Sequence, residues 1–178
     1  MVWCVVLVCA VAAVTDLAWR RVPNWLTYPG LLVGLVGNSA SGLVPEAWRD
    51  GLDLIGWEAS LQGLFVCGGI MLVCFVLFEI GGGDVKLLAM IGACLGWERG
   101  LEILLWTFVL GAMAGISILV WNVGALTLLR KLAIYLLASF RLVQWQPLTE
   151  ADRALLRPSL FLAPMAGLAV LIVVWGWL

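Results

Sequence analysis

The sequence predicts an all-α fold: a polytopic membrane helix bundle of about six transmembrane helices plus a short interfacial helix. Three observations carry this expectation. Hydrophobic residues make up 64% of the 178 positions and charged residues only 12%, whereas a soluble domain uses roughly 25% charge to cover its surface. Apolar runs recur at lengths near the ~20 residues that a helix needs to cross bilayer hydrocarbon, and the mean hydropathy is +1.11. Most of the few charges sit between these runs. Once connections are subtracted, a chain of this length has room for about six crossings. One membrane-embedded domain over residues 1–178 is therefore expected, with no separate soluble domain.

The first span, about Val2 to Trp19, opens on an apolar run, Val2 to Val14, with no positive residue before it, and is followed by Arg20 and Arg21. That is the reverse of a cleavable signal peptide, so it reads as a retained span. Residues 25–44 form the second span. Residues 45–58, with Glu46, Arg49, Asp50, Asp53 and Glu58, read as a polar connection. The third span is 59–78. A glycine turn with charged flanks follows at 79–86, then a short fourth span at about 85–95. Residues 97–102 read as a short polar connection, 103–129 as the fifth span and 160–178 as the sixth. Between the last two, residues 132–143 are apolar but too short to cross and lie between Lys131 and Arg141, so they read as the interfacial helix. Pro147 and the run 149–152 mark a turn and a fresh helix start.

The charge pattern orients this bundle. With the N-terminus outside, the cytoplasmic segments hold Arg20, Arg21, Lys86, Arg130, Lys131, Arg141, Arg153 and Arg157, and the outer segments hold Arg49 and Arg99. Eight against two is the bias of the positive-inside rule. Tryptophans at span ends, among them Trp3, Trp19, Trp25, Trp97, Trp175 and Trp177, fit interfacial anchors. No paired broken helices mark an inverted repeat of the transporter kind.

Composition also excludes chemistry. Histidine is absent, which removes Ser-His-Asp and Cys-His catalysis and histidine-ligated metals. The cysteines at 4, 9, 67, 74 and 94 form no C-x-x-C pair and lie in apolar runs, so they read as small buried hydrophobes. No metal and no cofactor is implied. A net charge of −1 without any extended basic run suggests no nucleic-acid partner.

Two acids remain that ought to be costly. Asp16 lies near the end of the first span, about one turn before the arginines that mark the headgroup level. Asp84 opens the fourth span after three glycines. In the six-span topology both lie near the cytoplasmic face on helices of opposite direction, which can bring them together. Intramembrane acids usually mark a functional site. Two carboxylates within hydrogen-bond reach share one proton, because like charge and desolvation prevent both from ionising. One then serves as base toward a water and the other as acid toward a carbonyl. The competing class is a non-enzymatic membrane protein, either a proton-coupled transporter or an assembly subunit of a pilus or secretion machine, in which paired acids carry protons. For Lys86 a positive-inside anchor stands beside a role in orienting Asp84. Arg20 and Arg21 are topology determinants first and candidates to meet acidic substrate residues or lipid headgroups. Glu79 is a candidate third acid or an interface residue. Gly81, Gly82 and Gly83 read either as a flexible turn or as exposed backbone for close approach by a helix or an extended peptide.

Asp16 followed by Val22-Pro23-Asn24 reads D-x5-V-P-N, and Gly81-Gly82-Gly83-Asp84-Val85-Lys86 reads G-x-G-D-x-K. Together these resemble the two catalytic motifs of the type IV prepilin peptidases. The proline- and glycine-bearing stretch 158–167 is similar to that family's final helix. The resemblance spans nearly the whole chain. It implies a GxGD aspartic endopeptidase of the cytoplasmic membrane that removes the short basic leader of prepilin-like membrane proteins after a glycine, and it carries the catalytic roles to Asp16 and Asp84. Pro23 and Asn24 are expected to shape the turn, with Pro23 fixing φ and Asn24 capping the next helix; Gly81, Gly83 and Lys86 complete the expected site. Longer relatives carry a cytoplasmic insertion with paired C-x-x-C zinc sites and also N-methylate the new terminus. This chain has neither insertion nor such cysteines and resembles the small, peptidase-only branch found with tight-adherence pili. An archaeal-type preflagellin peptidase shares the chemistry and differs in substrate.

Overall fold

The computed structural model describes residues 1–45, 49, 51–78, 80–124 and 162–176. Among these there is no strand. Among the described residues six α-helices are delimited, in chain order: α1, Val2–Trp19; α2, Asn24–Ser39; α3, Trp57–Phe78; α4, Gly82–Leu95; α5, Trp97–Val123; and α6, Leu162–Trp175. A 3-10 turn, Ala40–Leu43, prolongs α2. The all-helical expectation of about six helices holds. Among the described residues three stretches are long and apolar enough to cross a membrane, Val2–Trp19, Trp57–Phe78 and Trp97–Trp121; α2, α4 and α6 are shorter, at 16, 14 and 14 residues. The expected interfacial helix at 132–143, Pro147, the 149–152 start and Glu79 lie outside the described residues, as do five of the eight cations expected on the cytoplasmic side.

Met1–Leu110 with Phe161–Leu178 form one compact unit and Gly111–Leu160 a second. Of the second, only the continuation of α5 and Gly124 are described. In the first unit α4 packs against α3 and α2, while α1 packs against α6 and α2. Helix α4 is the core element: Leu87, Leu88, Met90, Ile91, Ala93 and Cys94 are all buried. The outer face of α3 shows Phe65, Leu72, Val76, Leu77 and Phe78 to the surroundings.

Lipid tails are as apolar as those side chains, so burying them against each other gives little drive to associate; close backbone contact and interhelical hydrogen bonds must hold such a bundle. Both are present. A Cβ on Gly63 of α3 would overlap the carbonyl of Gly92 of α4, and one on Gly92 would overlap the Gly63 carbonyl. At the start of α5, a Cβ on Gly100 would lie 2.6 Å from Cys67 Sγ and 3.1 Å from Gly92 Cα. Three helices thus meet where their side chains vanish. A polar lock lies beside this contact. The fully buried Asn38 donates from Nδ2 to the Ala93 carbonyl at 3.0 Å and accepts the Ile55 N–H on Oδ1 at 3.2 Å. Ser60 Oγ donates to the same Ala93 carbonyl at 2.6 Å.

Two boundaries differ from the sequence expectation. Residues 97–102, expected as a polar connection, are the opening turns of α5. Gly96 alone makes the connection: its φ of 86° is open to glycine, and its N–H caps α4 on the Gly92 carbonyl at 2.9 Å. Glu98 then falls in the first turn of α5, where the helix dipole favours an acid. The glycine turn also shrinks. Gly81 is the N-cap of α4, and Gly82 and Gly83 are already helical.

The glycine contact predicts a sharp contrast. Gly63→Val and Gly92→Val should each destabilise the bundle by about 1–3 kcal/mol or more through overpacking, read as earlier unfolding in an SDS titration of the purified protein. Gly69→Val, where an added Cβ meets nothing within 4 Å, should leave the midpoint in place.

Candidate active site

The site begins with how α1 stops. Arg20 adopts a left-handed conformation, φ 52° and ψ 36°, and its N–H bonds the Asp16 carbonyl at 2.8 Å. That cap places Asp16 in the last turn, on the side of α1 that also buries Ala12. Thr15, buried beside it, returns its hydroxyl to the Ala12 carbonyl at 2.9 Å, so it spends its polarity within its own helix. Asp16 is itself buried. Its carboxylate is met by the backbone amide of Ala163 in the first turn of α6. Small residues on α6 allow this approach: Ala163, Ala166 and Ala169 are buried, and a Cβ on Gly167 would sit 3.7 Å from the Cys9 carbonyl of α1.

The second acid is set by the start of α4. Gly81, in extended conformation at φ −63° and ψ 133°, accepts the Asp84 N–H at 3.0 Å. Asp84 therefore occupies the first turn, and its half-buried carboxylate turns back over Gly81. A Cβ on Gly81 would lie 3.1 Å from Asp84 Oδ2, and one on Gly83 would lie 3.0 Å from Val22 Cβ and 3.4 Å from its carbonyl. Gly83 thus lets the chain that leaves Asp16 press against the helix that carries Asp84.

These two pieces enclose one cavity of about 260 Å³. Asp16 and Asp84 both line it, and their charges act on each other. Gly81, Gly82 and Gly83 form its glycine wall, with Val22, Arg20 and Arg21 on the side of the turn. A larger cavity of about 570 Å³ lies at the far end of α4, lined by Leu95, Gly96, Arg49, Asp53 and Glu98 among others, and holds none of the expected site residues.

The remaining expected residues stand behind the cavity. Pro23, at φ −73° and ψ 140°, is itself the N-cap of α2. The expectation that Asn24 caps the helix is therefore corrected. Asn24 is the first helical residue, no side chain caps α2, and its Oδ1 accepts a hydrogen bond from Lys86 Nζ at 2.8 Å. The same ammonium lies 5.1 Å from the centroid of the Tyr28 ring. Among the described residues no group of three or more Cys, Asp or Glu is placed to hold a metal. Sequence reasoning did not single out Tyr28 or Ala163. Tyr28 follows Asn24 by four residues on one helix face, a spacing that signals proximity once α2 is known to start at Asn24. Ala163 acts through its amide, which no side-chain pattern reveals.

A bundle of apolar helices with two carboxylates in one cavity at the helix ends defines a membrane-type protein with a two-acid site. The chain belongs to the type IV leader peptidase family, whose model matches residues 3–116. It is similar to the prepilin leader peptidase/N-methyltransferase of Escherichia coli (strain K12), with 36% identity over 88 residues that cover 48% of this chain and 36% of that one. The protein of the same name from Aeromonas salmonicida (strain A449) is 35% identical over 104 residues, covering 58% of this chain and 34% of the relative. The chain thus spans about a third of the length of these curated relatives. No solved structure matches it.

The glycine wall predicts a graded response. Gly83→Ala should open the Val22 contact and lower activity of the site by about tenfold or more, since small misplacements of reacting groups are costly. Gly81→Ala should lower it further, because the atom its Cβ meets at 3.1 Å is Asp84 Oδ2, one of the two acids themselves. Steady-state rates on matched protein amounts would rank the two.

Proposed function

We propose that the chain is an aspartic endopeptidase of the cytoplasmic membrane that cleaves the leader peptide from prepilin-like membrane protein precursors. In this reading residues 1–178 act as one peptidase domain in the lipid bilayer. The N-terminus lies outside and the active site near the cytoplasmic face, in keeping with the lysine and arginine bias. The observation that carries the proposal is that Asp16 and Asp84, 68 positions apart in the sequence, line one small cavity at the ends of their helices. Membership of the type IV leader peptidase family supports the same reaction. A proton-transporting role would call for acids near the midplane on broken helices; placement at the last turn of α1 and the first turn of α4 favours hydrolysis.

The chemistry follows from one shared proton. The ionised carboxylate of the pair takes a proton from a water as its oxygen bonds the scissile carbonyl carbon. The protonated partner passes its proton to the carbonyl oxygen. In the collapse of the resulting tetrahedral diol one hydroxyl returns its proton to the pair, the C–N bond breaks, and the leaving nitrogen takes a proton from the pair. Protons and electrons balance within water, peptide and two acids. The shared proton belongs to the pair, so neither aspartate owns a role in the resting state. The glycine wall leaves backbone open to an extended peptide, the conformation in which a carbonyl can be attacked.

Asp16→Asn and Asp84→Asn should each lower cleavage of a co-expressed prepilin precursor by at least about a hundredfold, the scale of general acid–base catalysis, with normal membrane levels. Mass measurement of the precursor's N-terminus reads the outcome, and processing retained by either variant sinks the dyad. With the parent protein, kcat/KM should be bell-shaped in pH, falling where the pair holds two protons and where it holds none.

A further inference from the structure

We propose that Lys86 is a positioning residue: its ammonium, held between Asn24 and the ring of Tyr28, fixes the turn after Asp16 against the helix that carries Asp84. The inference rests on the peptidase reading and adds to it a device that sets the distance between the two acids from outside the cavity.

Lys86 follows Asp84 by two residues, about 200° around an α-helix. The two side chains therefore leave α4 on opposite sides, and Lys86 is not among the described residues that line the cavity. Its ammonium is engaged elsewhere. It donates to Asn24 Oδ1 at 2.8 Å and lies 5.1 Å from the Tyr28 ring centroid. Both partners stand on α2, in its first turn and a half, 62 and 58 positions before Lys86. The first turn of α4 is thus tied to this segment at two points. Gly83 presses on Val22, and Lys86 holds the Asn24 that follows Val22 and Pro23.

The identity of the partners matters. An amide oxygen and an aromatic face bind a cation without bringing a third carboxylate toward the pair. A lysine paired to an acid would hold the helices equally well, but it would add a negative charge beside two groups that must share one proton. The geometry also separates this role from that of a headgroup anchor. An anchor needs its ammonium at the lipid surface and is indifferent to Tyr28; a clamp needs both partners.

The test uses the full-length protein in detergent micelles with a synthetic prepilin peptide spanning the leader junction. Lys86→Met and Asn24→Leu should each lower kcat about 10–100-fold, the cost of small misplacement at a reacting centre, with KM within about twofold of the parent. Tyr28→Leu should lower kcat less, and Tyr28→Phe, which keeps the ring face, should restore it. The double variant Lys86→Met/Asn24→Leu should be no worse than either single one, as for residues acting as one unit. An unchanged kcat in Lys86→Met, an effect confined to KM, or independent effects in the double variant would overturn the clamp. A second measurement does not depend on cleavage. Spin labels at Trp25→Cys and Gly82→Cys, with the five native cysteines replaced, should give a narrow distance distribution in the parent and in Tyr28→Phe, and a broad one in Lys86→Met. A distribution that stays narrow in Lys86→Met refutes the clamp. Failure of the parent to cut the peptide refutes the peptidase reading and leaves the distance measurement to decide the clamp.

Discussion

The close approach of α3, α4 and α5 at Gly63, Gly92 and Gly100 is the contact from which the site is built. In a hydrocarbon solvent there is no gain from hiding apolar side chains, so the helices associate where backbones can touch and polar groups can pair. That contact fixes the C-terminal end of α4, where Asn38 and Ser60 are both bonded to the Ala93 carbonyl. A fixed α4 gives its first turn a defined position, and Asp84 stands in that turn. The opposing acid is placed by a different means: the left-handed cap at Arg20 ends α1, and the short extended link through Pro23 returns the chain as α2.

Much of this was legible in the sequence, for a physical reason. Spans in a bilayer must be long and apolar, so hydropathy located the helices to within a few residues. The acids stood out because charge is expensive there. What hydropathy could not read were single-residue backbone events. Gly96 joins two helices in one step, so the polar residues 97–102 looked like a loop and are helix. Averaging over a window hides a cap. In the same way, Asn24 looked like an N-cap by residue type, yet Pro23 takes that position and frees the amide for Lys86. The pairing of Lys86 with Asn24 crosses 62 positions, and no local pattern announces it.

The two ends of α4 differ in kind. Near Leu95 a wide cavity is bordered by charges of both signs, Arg49, Asp53, Glu98 and Arg99. Near Asp84 a smaller one is bordered by two acids, two arginines and three glycines. Size alone would direct attention to the first. Chemistry selects the second, because there two like charges converge against a wall that lacks side chains. A pair of acids at such a place is stable only if the surroundings provide hydrogen-bond donors. The Ala163 amide acts on Asp16 in this sense.

That amide has a consequence for biosynthesis. Asp16 and Asp84 are both synthesised before α6, which brings Ala163 to Asp16 and packs along α1. A nascent chain that has threaded its earlier helices into the translocon already owns both carboxylates but lacks the donor that meets one of them. The surroundings of Asp16 are completed only when α6 docks, so the environment of this acid is put together late, after the other described helices have been made.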